Sequence, residues 1–128
     1  MQPSTDKLIV QLKAVADPAR LRLLALCARA ECSVTELAAV LGLSQPRVSQ
    51  HLKTLCDGGL LQRFRDGHFV YYRVPLRRTP APLAQAMLGL LPADEPQFAN
   101  DLEALRAQRG ARGAAPGPGT AAPERELH

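Results

Sequence analysis

Apolar residues recur at helical spacing near the start of the chain. Within residues 6–16 they are Leu8, Ile9, Leu12 and Val15. This spacing predicts an amphipathic helix with one apolar stripe. A single N-terminal helix must bury such a stripe, either in the core of its own chain or against a second subunit.

A second helix is predicted over residues 19–30. Asp17 can cap it, and Pro18 fits its first turn, where the missing N–H leaves no bond unmade. Its residues are strong helix formers and apolar on most sides, so we expect it at the centre of the core. Cys27 lies in this helix, either as a small buried side chain or, alternatively, as a sensing thiol.

Two short helices joined by a tight turn follow, over about 34–41 and 45–56. Ser33 and Glu36 have the spacing of a capping box for the first helix. Gly42 suits the left-handed backbone that commonly ends a helix. The two segments therefore predict a helix-turn-helix.

The second helix of this pair, called the recognition helix below, separates apolar from polar positions. Ser44 is its predicted cap, and its buried stripe is predicted to be Val48, Leu52 and Leu55. The other positions can all form hydrogen bonds and none is acidic: Gln45, Arg47, Ser49, Gln50, His51, Lys53 and Thr54. A rod of about 12 residues is roughly 18 Å long and fits the major groove of DNA.

Asp66-Gly67-His68 lies between two β-favouring segments, residues 60–65 and 69–74. Asp-Gly in that setting predicts a β-hairpin with a type I′ turn, which needs positive φ at two residues. A helix-turn-helix followed by a hairpin, called the wing below, is a winged helix. We therefore predict a mainly α fold with a small β-hairpin.

The last third of the chain contains two further apolar segments and a tail. Residues 83–91 predict a short apolar helix, and residues 96–108 predict an amphipathic one. The apolar positions of the second are Phe98, Leu102 and Leu105. Gly, Pro and Ala dominate residues 109–128, which predicts a disordered tail after one folded domain over residues 1–108.

Positive charge is concentrated between residues 44 and 78. The cations there are Arg47, Lys53, Arg63, Arg65, Arg73, Arg77 and Arg78, against Asp57 and Asp66. This net of +5 exceeds the +4 of the whole chain, so the remainder is nearly neutral. The excess falls on the recognition helix and the wing, which favours double-stranded DNA as partner over a basic face without a target.

The compartment follows from what the sequence lacks. It has no signal-peptide pattern and no apolar run approaching the roughly 18 residues of a membrane span. Its three cysteines have no disulfide spacing. We expect a cytoplasmic protein with reduced thiols and no membrane partner.

An enzyme is not expected. A nucleophilic Cys27 or Cys32 would need a histidine within hydrogen-bond reach. His51 and His68 fall on the expected DNA face, and His128 falls in the tail. No glycine-rich phosphate loop is present.

Three motifs follow one another between residues 12 and 74: LKAVADPARLRLLALC, SVTELAAVLGLSQPRVSQHLKTLCDGGLL and RDGHFVYYRV. Together they resemble the ArsR/SmtB family of bacterial winged-helix repressors. The resemblance implies a homodimer paired through its first and last helices, bound to a palindromic operator and released by an effector. The apolar segments 6–16 and 83–91 agree with that pairing.

The resemblance leaves the effector open. Arsenic sensors of the family often carry two cysteines at positions that match Ser33 and Thr35, whereas Cys32 lies one place earlier. Metal sensors often carry histidines on the last long helix, and residues 83–108 have none. We therefore expect no metal site, and Asp66-Gly67-His68 is interpreted as a turn.

Two classes of effector remain. Cys27 and Cys32 are candidate thiol sensors for a metalloid or a persulfide. Cys56 falls at the end of the recognition helix, where modification would disturb DNA binding. The SQPRVSQHLK segment resembles that of family members linked to S-adenosylhomocysteine, which makes this small molecule the alternative.

The recognition helix is expected to enter the major groove and the wing to touch the backbone or the minor groove. Arginine can form two hydrogen bonds with guanine and glutamine can form two with adenine, so we assign Gln45, Arg47 and Gln50 to base edges. The predicted phosphate contacts are Ser44, Ser49, Lys53 and Thr54, with Arg65 and His68 on the wing. His51 either reaches a phosphate or packs beside the turn. The rival interpretation, a protein-interaction module, would call for an acidic or apolar face.

Overall fold

The computed structural model describes residues 5–75, 82–92 and 94–111. In chain order its elements are α1 (Thr5–Val15), α2 (Pro18–Arg29), α3 (Val34–Leu41), α4 (Gln45–Asp57), β1 (Gln62–Asp66), β2 (Phe69–Arg73), α5 (Pro82–Leu90) and α6 (Pro96–Ala111). The two strands form one antiparallel hairpin. The predicted winged helix-turn-helix, mainly α with a small β-hairpin, is confirmed.

Local capping signals begin and end the helices where the sequence predicts. The Asp17 carboxylate accepts from the Arg20 N–H at 3.0 Å. Ser33 and Glu36 form both bonds of the capping box, and Ser44 caps α4. Gly42 ends α3 with φ +70°, a backbone that a side chain would strain.

Helix α2 lies at the centre of the core and contacts α1, α4, α6 and β2. The predicted stripe of α4 is completely buried: Val48, Leu52 and Leu55 are each 0% exposed. Leu23 and Leu24 of α2 are buried to the same degree. The scaffold thus holds one face of α4 and leaves the other to solvent.

Helix α1 buries a different face from the one its apolar stripe predicts. Leu8, Ile9 and Leu12 remain 38–44% exposed, and Val10 is 50% exposed. Of the predicted stripe, Val15 alone is buried, and the inward face is completed by Ala14 and Gln11. The core of this chain therefore does not cover the stripe.

The side chain of Gln11 explains how a polar residue occupies that inward face. Its Nε2 donates to the Gly58 carbonyl oxygen at 2.8 Å, inside the protein. Gly58 follows the last residue of α4, so this bond joins α1 directly to the end of the recognition helix.

The hairpin turn differs from the prediction. Asp66 pairs with Phe69, so the two-residue loop is Gly67-His68. Gly67 has φ +67°, and no non-glycine residue of the described chain has positive φ. The type I′ prediction is wrong, because His68 lacks the positive φ that this turn needs at its second loop residue, whereas glycine at the first position fits a type II′ turn.

Helix α6 packs on α2 and α3 and extends to Ala111, beyond the predicted boundary at residue 108. Arg109, assigned to the tail by sequence, forms a bidentate ion pair with Glu36 at 2.8 and 3.1 Å. Its Nη2 also donates to the Glu31 carbonyl oxygen at 2.6 Å. The rest of the predicted tail, residues 112–128, lies outside the described residues.

Candidate nucleic-acid interface

The solvent-facing side of α4 is polar and lies opposite its buried stripe. Its exposed members are Gln45, Arg47, Ser49, Gln50, Lys53 and Thr54, with the cap Ser44 beside them. The face is continuous because positions three and four apart are neighbours on a helix. Seven of the ten predicted contact residues are thereby brought onto one surface.

Several of these side chains already have partners. Lys53 Nζ lies 2.9 Å from Asp57 Oδ2, and this hydrogen bond raises the pKa of Lys53. Thr54 Oγ1 donates to the Gln50 carbonyl oxygen at 3.1 Å. The Arg47 guanidinium makes no hydrogen bond or ion pair with any described residue. Arg47 is therefore the cation of this face that is available to a ligand.

His51 lies at the edge of the face and is half-buried. Its Nδ1 is 3.2 Å from Arg20 Nη1, and Arg20 Nε donates to the Ala14 carbonyl oxygen at 2.7 Å. Since a guanidinium can only donate, Nδ1 accepts and the ring proton sits on Nε2. His51 thus links α4 to the junction of α1 and α2, which supports the structural interpretation and leaves Nε2 for another acceptor.

The wing carries its own basic face. Arg63 and Arg65 are two residues apart on β1, so both side chains point to the same side, and both are exposed. His68 is exposed at the turn. Arg63 was not among the predicted contact residues, although strand alternation with Arg65 could have identified it.

Arg73 does not contribute to that face. Its guanidinium lies 4.1 Å from the centre of the Phe64 ring and 2.9 Å from Glu31 Oε2, and it donates to Gln62. These contacts fasten β2 to the connector between α2 and α3. The predicted net charge of +5 therefore overstates the basic face, and two of its cations, Arg77 and Arg78, lie outside the described residues.

Cys27 and Cys32 lie buried in the core, and Cys56 is partly buried against it. The Cys32 thiol donates to the Ala30 carbonyl oxygen at 3.3 Å, and interaction with Cys32 together with burial raises the pKa of Cys27 well above its usual range. Burial raises the pKa of Cys56 to about 11. Cys27 and Cys32 are thus neighbours in the core, where the reactive thiolate of Cys27 is disfavoured.

The described residues include neither a cluster of metal ligands nor a membrane-spanning helix. No group of three or more His, Cys, Asp or Glu side chains there could hold a metal ion. None of the helices there has the length and apolar character needed to cross a bilayer.

Comparison with known proteins supports the interpretation of the helix-turn-helix and the wing as DNA-binding elements. Residues 17–63 match the family model described as bacterial regulatory protein, arsR family. The arsenic resistance transcriptional regulator ArsR1 of Pseudomonas putida is 44% identical over 66 residues, which are 51% of this chain and 52% of that regulator. The chain thus spans about half the length of this relative.

A biofilm growth-associated repressor of Agrobacterium fabrum matches more of the chain. It is 34% identical over 95 residues, covering 74% of this chain and 80% of the repressor. Among solved structures, reduced HlyU of Vibrio cholerae has a TM-score of 0.58 at 36% identity, covering 68% of this chain and 86% of HlyU.

A further structural match is the homodimeric winged helix-turn-helix DNA-binding domain Mb0332 of Mycobacterium bovis. It has a TM-score of 0.54 at 27% identity and covers 87% of both chains.

Proposed function

The chain belongs to the ArsR family of bacterial regulatory proteins and is a DNA-binding transcriptional regulator, not an enzyme; from this premise we propose that it is a homodimeric repressor of a palindromic operator. The observation that carries the proposal is the exposed, acid-free surface formed by residues 44–54, opposite a stripe that is 0% exposed. Each recognition helix enters one major groove, with half-sites about 34 Å apart.

Base edges are recognised by Gln45, Arg47 and Gln50. Arg47 is the strongest candidate, because its guanidinium has no partner among the described residues and can bind guanine in bidentate geometry. The phosphate contacts are Ser44, Ser49, Lys53 and Thr54. To bind phosphate, Lys53 must exchange Asp57 for DNA.

The wing supplies sequence-independent contacts. Arg65 and His68 are proposed there, and we add Arg63 because it shares the exposed side of β1. His51 contributes at most one donor, Nε2–H, since Nδ1 is engaged by Arg20.

The second subunit is proposed to cover α1. Leu8, Ile9, Val10 and Leu12 are exposed apolar residues on one short helix, and Leu90 of α5, which α1 contacts, is 76% exposed. Burial of such side chains stabilises a complex by about 25 cal/mol per Å² removed from water. The bond from Gln11 to Gly58 then connects the dimer interface with the end of the recognition helix.

The test begins with selection of a bound sequence from a random pool of duplex DNA by the full chain. Affinities for the selected and a scrambled duplex are then measured by fluorescence anisotropy at several salt concentrations. Arg47→Ala should weaken binding to the selected duplex by about 1–3 kcal/mol and relax one base position. Arg65→Ala should weaken both duplexes alike and reduce the salt slope by about 1.

Arg106→Ala is the matched control, because this exposed arginine lies on α6, away from the proposed surface. It should leave both affinities unchanged. If Arg47→Ala and Arg65→Ala changed the two duplexes in the same proportion, the assignment of Arg47 to base recognition would be wrong.

The proposal includes an effector that releases the repressor from its operator, and this effector is either a thiol reagent or a small molecule. Arsenite or a persulfide donor would act through Cys27 and Cys32, and release would then be lost in Cys27→Ser and Cys32→Ser. Release by S-adenosylhomocysteine in wild type and both variants would support the small-molecule class. Burial and the raised pKa of Cys27 slow the first route, which favours the second.

A further inference from the structure

A cavity of about 400 Å³ lies between α2, α5 and α6, away from the proposed DNA-binding surface. Its volume falls within the range of about 300–1,000 Å³ that is usual for small-molecule sites. The apolar part of its wall includes Leu26, Leu88, Phe98 and Leu102.

The wall of the cavity has more positive than negative side chains. Arg22 and Arg29 are set against a single carboxylate, Asp101. Asp101 is 4% exposed and binds Arg22 through Nε at 3.0 Å and Nη2 at 2.9 Å, which leaves Nη1 of Arg22 free of that pair. Arg29 makes no hydrogen bond or ion pair with any described residue. One uncompensated positive charge, on the solvent-exposed Arg29, therefore lies at the rim of the cavity beside an apolar wall.

We propose that this cavity binds a small amphipathic monoanion, a carboxylate with an apolar body. The carboxylate lies between Arg29 and the free Nη1 of Arg22, and the apolar body lies against Leu26, Leu88 and Phe98. A cation is repelled by Arg29, whose charge no carboxylate balances, and a neutral molecule leaves Arg29 without a counter-charge.

The position of the cavity gives the ligand a route to the DNA-binding elements. Asp101, in its wall, and Arg109, which binds Glu36 at the start of α3, both belong to α6. A ligand that separates α6 from α2 moves Arg109 relative to the helix-turn-helix. This effector role rests on the proposed repressor function, whereas binding to the cavity does not.

Binding is measured first without DNA, by isothermal titration calorimetry of the full chain with octanoate, octylamine and octanol. These probes share an apolar body and differ in charge. Octanoate should bind at least tenfold more tightly than the other two. Equal affinity for octanoate and octylamine would overturn the proposal.

Arg29→Gln tests the anion contact and should lower octanoate affinity about tenfold or more, since Arg29 supplies a charge-assisted hydrogen bond. Arg29 is preferred to Arg22, because loss of Arg22 would leave the buried Asp101 carboxylate with the neutral Gln97 amide but without the arginine. Arg106→Gln removes the same charge outside the cavity and should change nothing. Ala99→Phe, on the exposed rim, should block binding by size alone. Unchanged affinity in Arg29→Gln would refute the site.

The effector role is tested last, by adding octanoate to the complex with the selected duplex. Octanoate should weaken DNA binding by wild type and not by Arg29→Gln. Intact DNA binding without any octanoate binding would overturn this inference alone. Octanoate binding by a protein that binds no DNA would overturn the repressor proposal and leave the cavity assignment standing.

Discussion

The ion pair between Arg109 and Glu36 is predicted to be a major stabilising contact between α6 and the helix-turn-helix. The perturbation is Arg109→Met, which keeps most of the aliphatic stem and removes the guanidinium. The Glu36 side chain is only 6% exposed, so the variant removes the guanidinium that pairs with a buried carboxylate. Such losses cost about 3–5 kcal/mol for fully buried pairs.

The expected cost here is smaller, because Arg109 is 26% exposed and water can replace part of its contribution. The Ser33 N–H, which donates to Glu36 Oε1 at 3.0 Å, also remains. We therefore expect the free energy of unfolding to fall by about 2–3 kcal/mol, measured by urea denaturation. For a chain of this size that lowers Tm by roughly 10 °C.

A double-mutant cycle separates the pair from other effects of either substitution. Glu36→Gln keeps the capping box but removes the charge, so the coupling energy between the two positions should be at least about 1 kcal/mol. The exposed Arg106, whose ion pair with Glu103 spans 3.9 Å, serves as control, and Arg106→Met should cost less than about 0.5 kcal/mol. Additive effects, or an Arg109→Met cost no larger than the control, would refute the reasoning.

Three further outcomes are expected. The hydrogen bond from the Arg20 N–H lowers the pKa of the Asp17 carboxyl group. The stability advantage of wild type over Asp17→Asn should therefore be complete at neutral pH and be lost as pH falls below about 4. A difference in urea midpoint between the two proteins that did not change with pH would contradict this. Alkylation of Cys56 by iodoacetamide in the native protein should have a pH midpoint of about 11, and fast labelling at neutral pH would contradict its burial. Leu12→Glu places a charge in the proposed subunit interface and should halve the mass measured by light scattering, whereas an unchanged mass would exclude α1 from the interface.

The elements that were predicted correctly depend on neighbours within one helical turn. Asp17, Ser33 and Ser44 each accept a backbone hydrogen bond from a residue three positions later. Spacing of the same range predicts the buried stripe of α4. Such signals need no knowledge of the rest of the chain.

The hairpin shows where local signals stop being sufficient. Leu60 and Leu61 are buried in the core, and β1 begins after them at Gln62 and extends through Asp66. The pairing of Asp66 with Phe69 then shifts the loop to Gly67-His68. The turn type thus depends on the register of the two paired strands, which the Asp-Gly signal alone does not give.

By itself, the sequence determined the order of elements, their caps, the winged helix and the acid-free surface of the recognition helix. The tertiary structure alone decided which polar groups far apart in the sequence meet. Arg109 and Glu36 are 73 residues apart, Arg22 and Asp101 are 79 apart, and Arg20 and His51 are 31 apart. Periodicity cannot predict such pairs, because they depend on how whole helices pack, and that packing also creates the cavity beside α6.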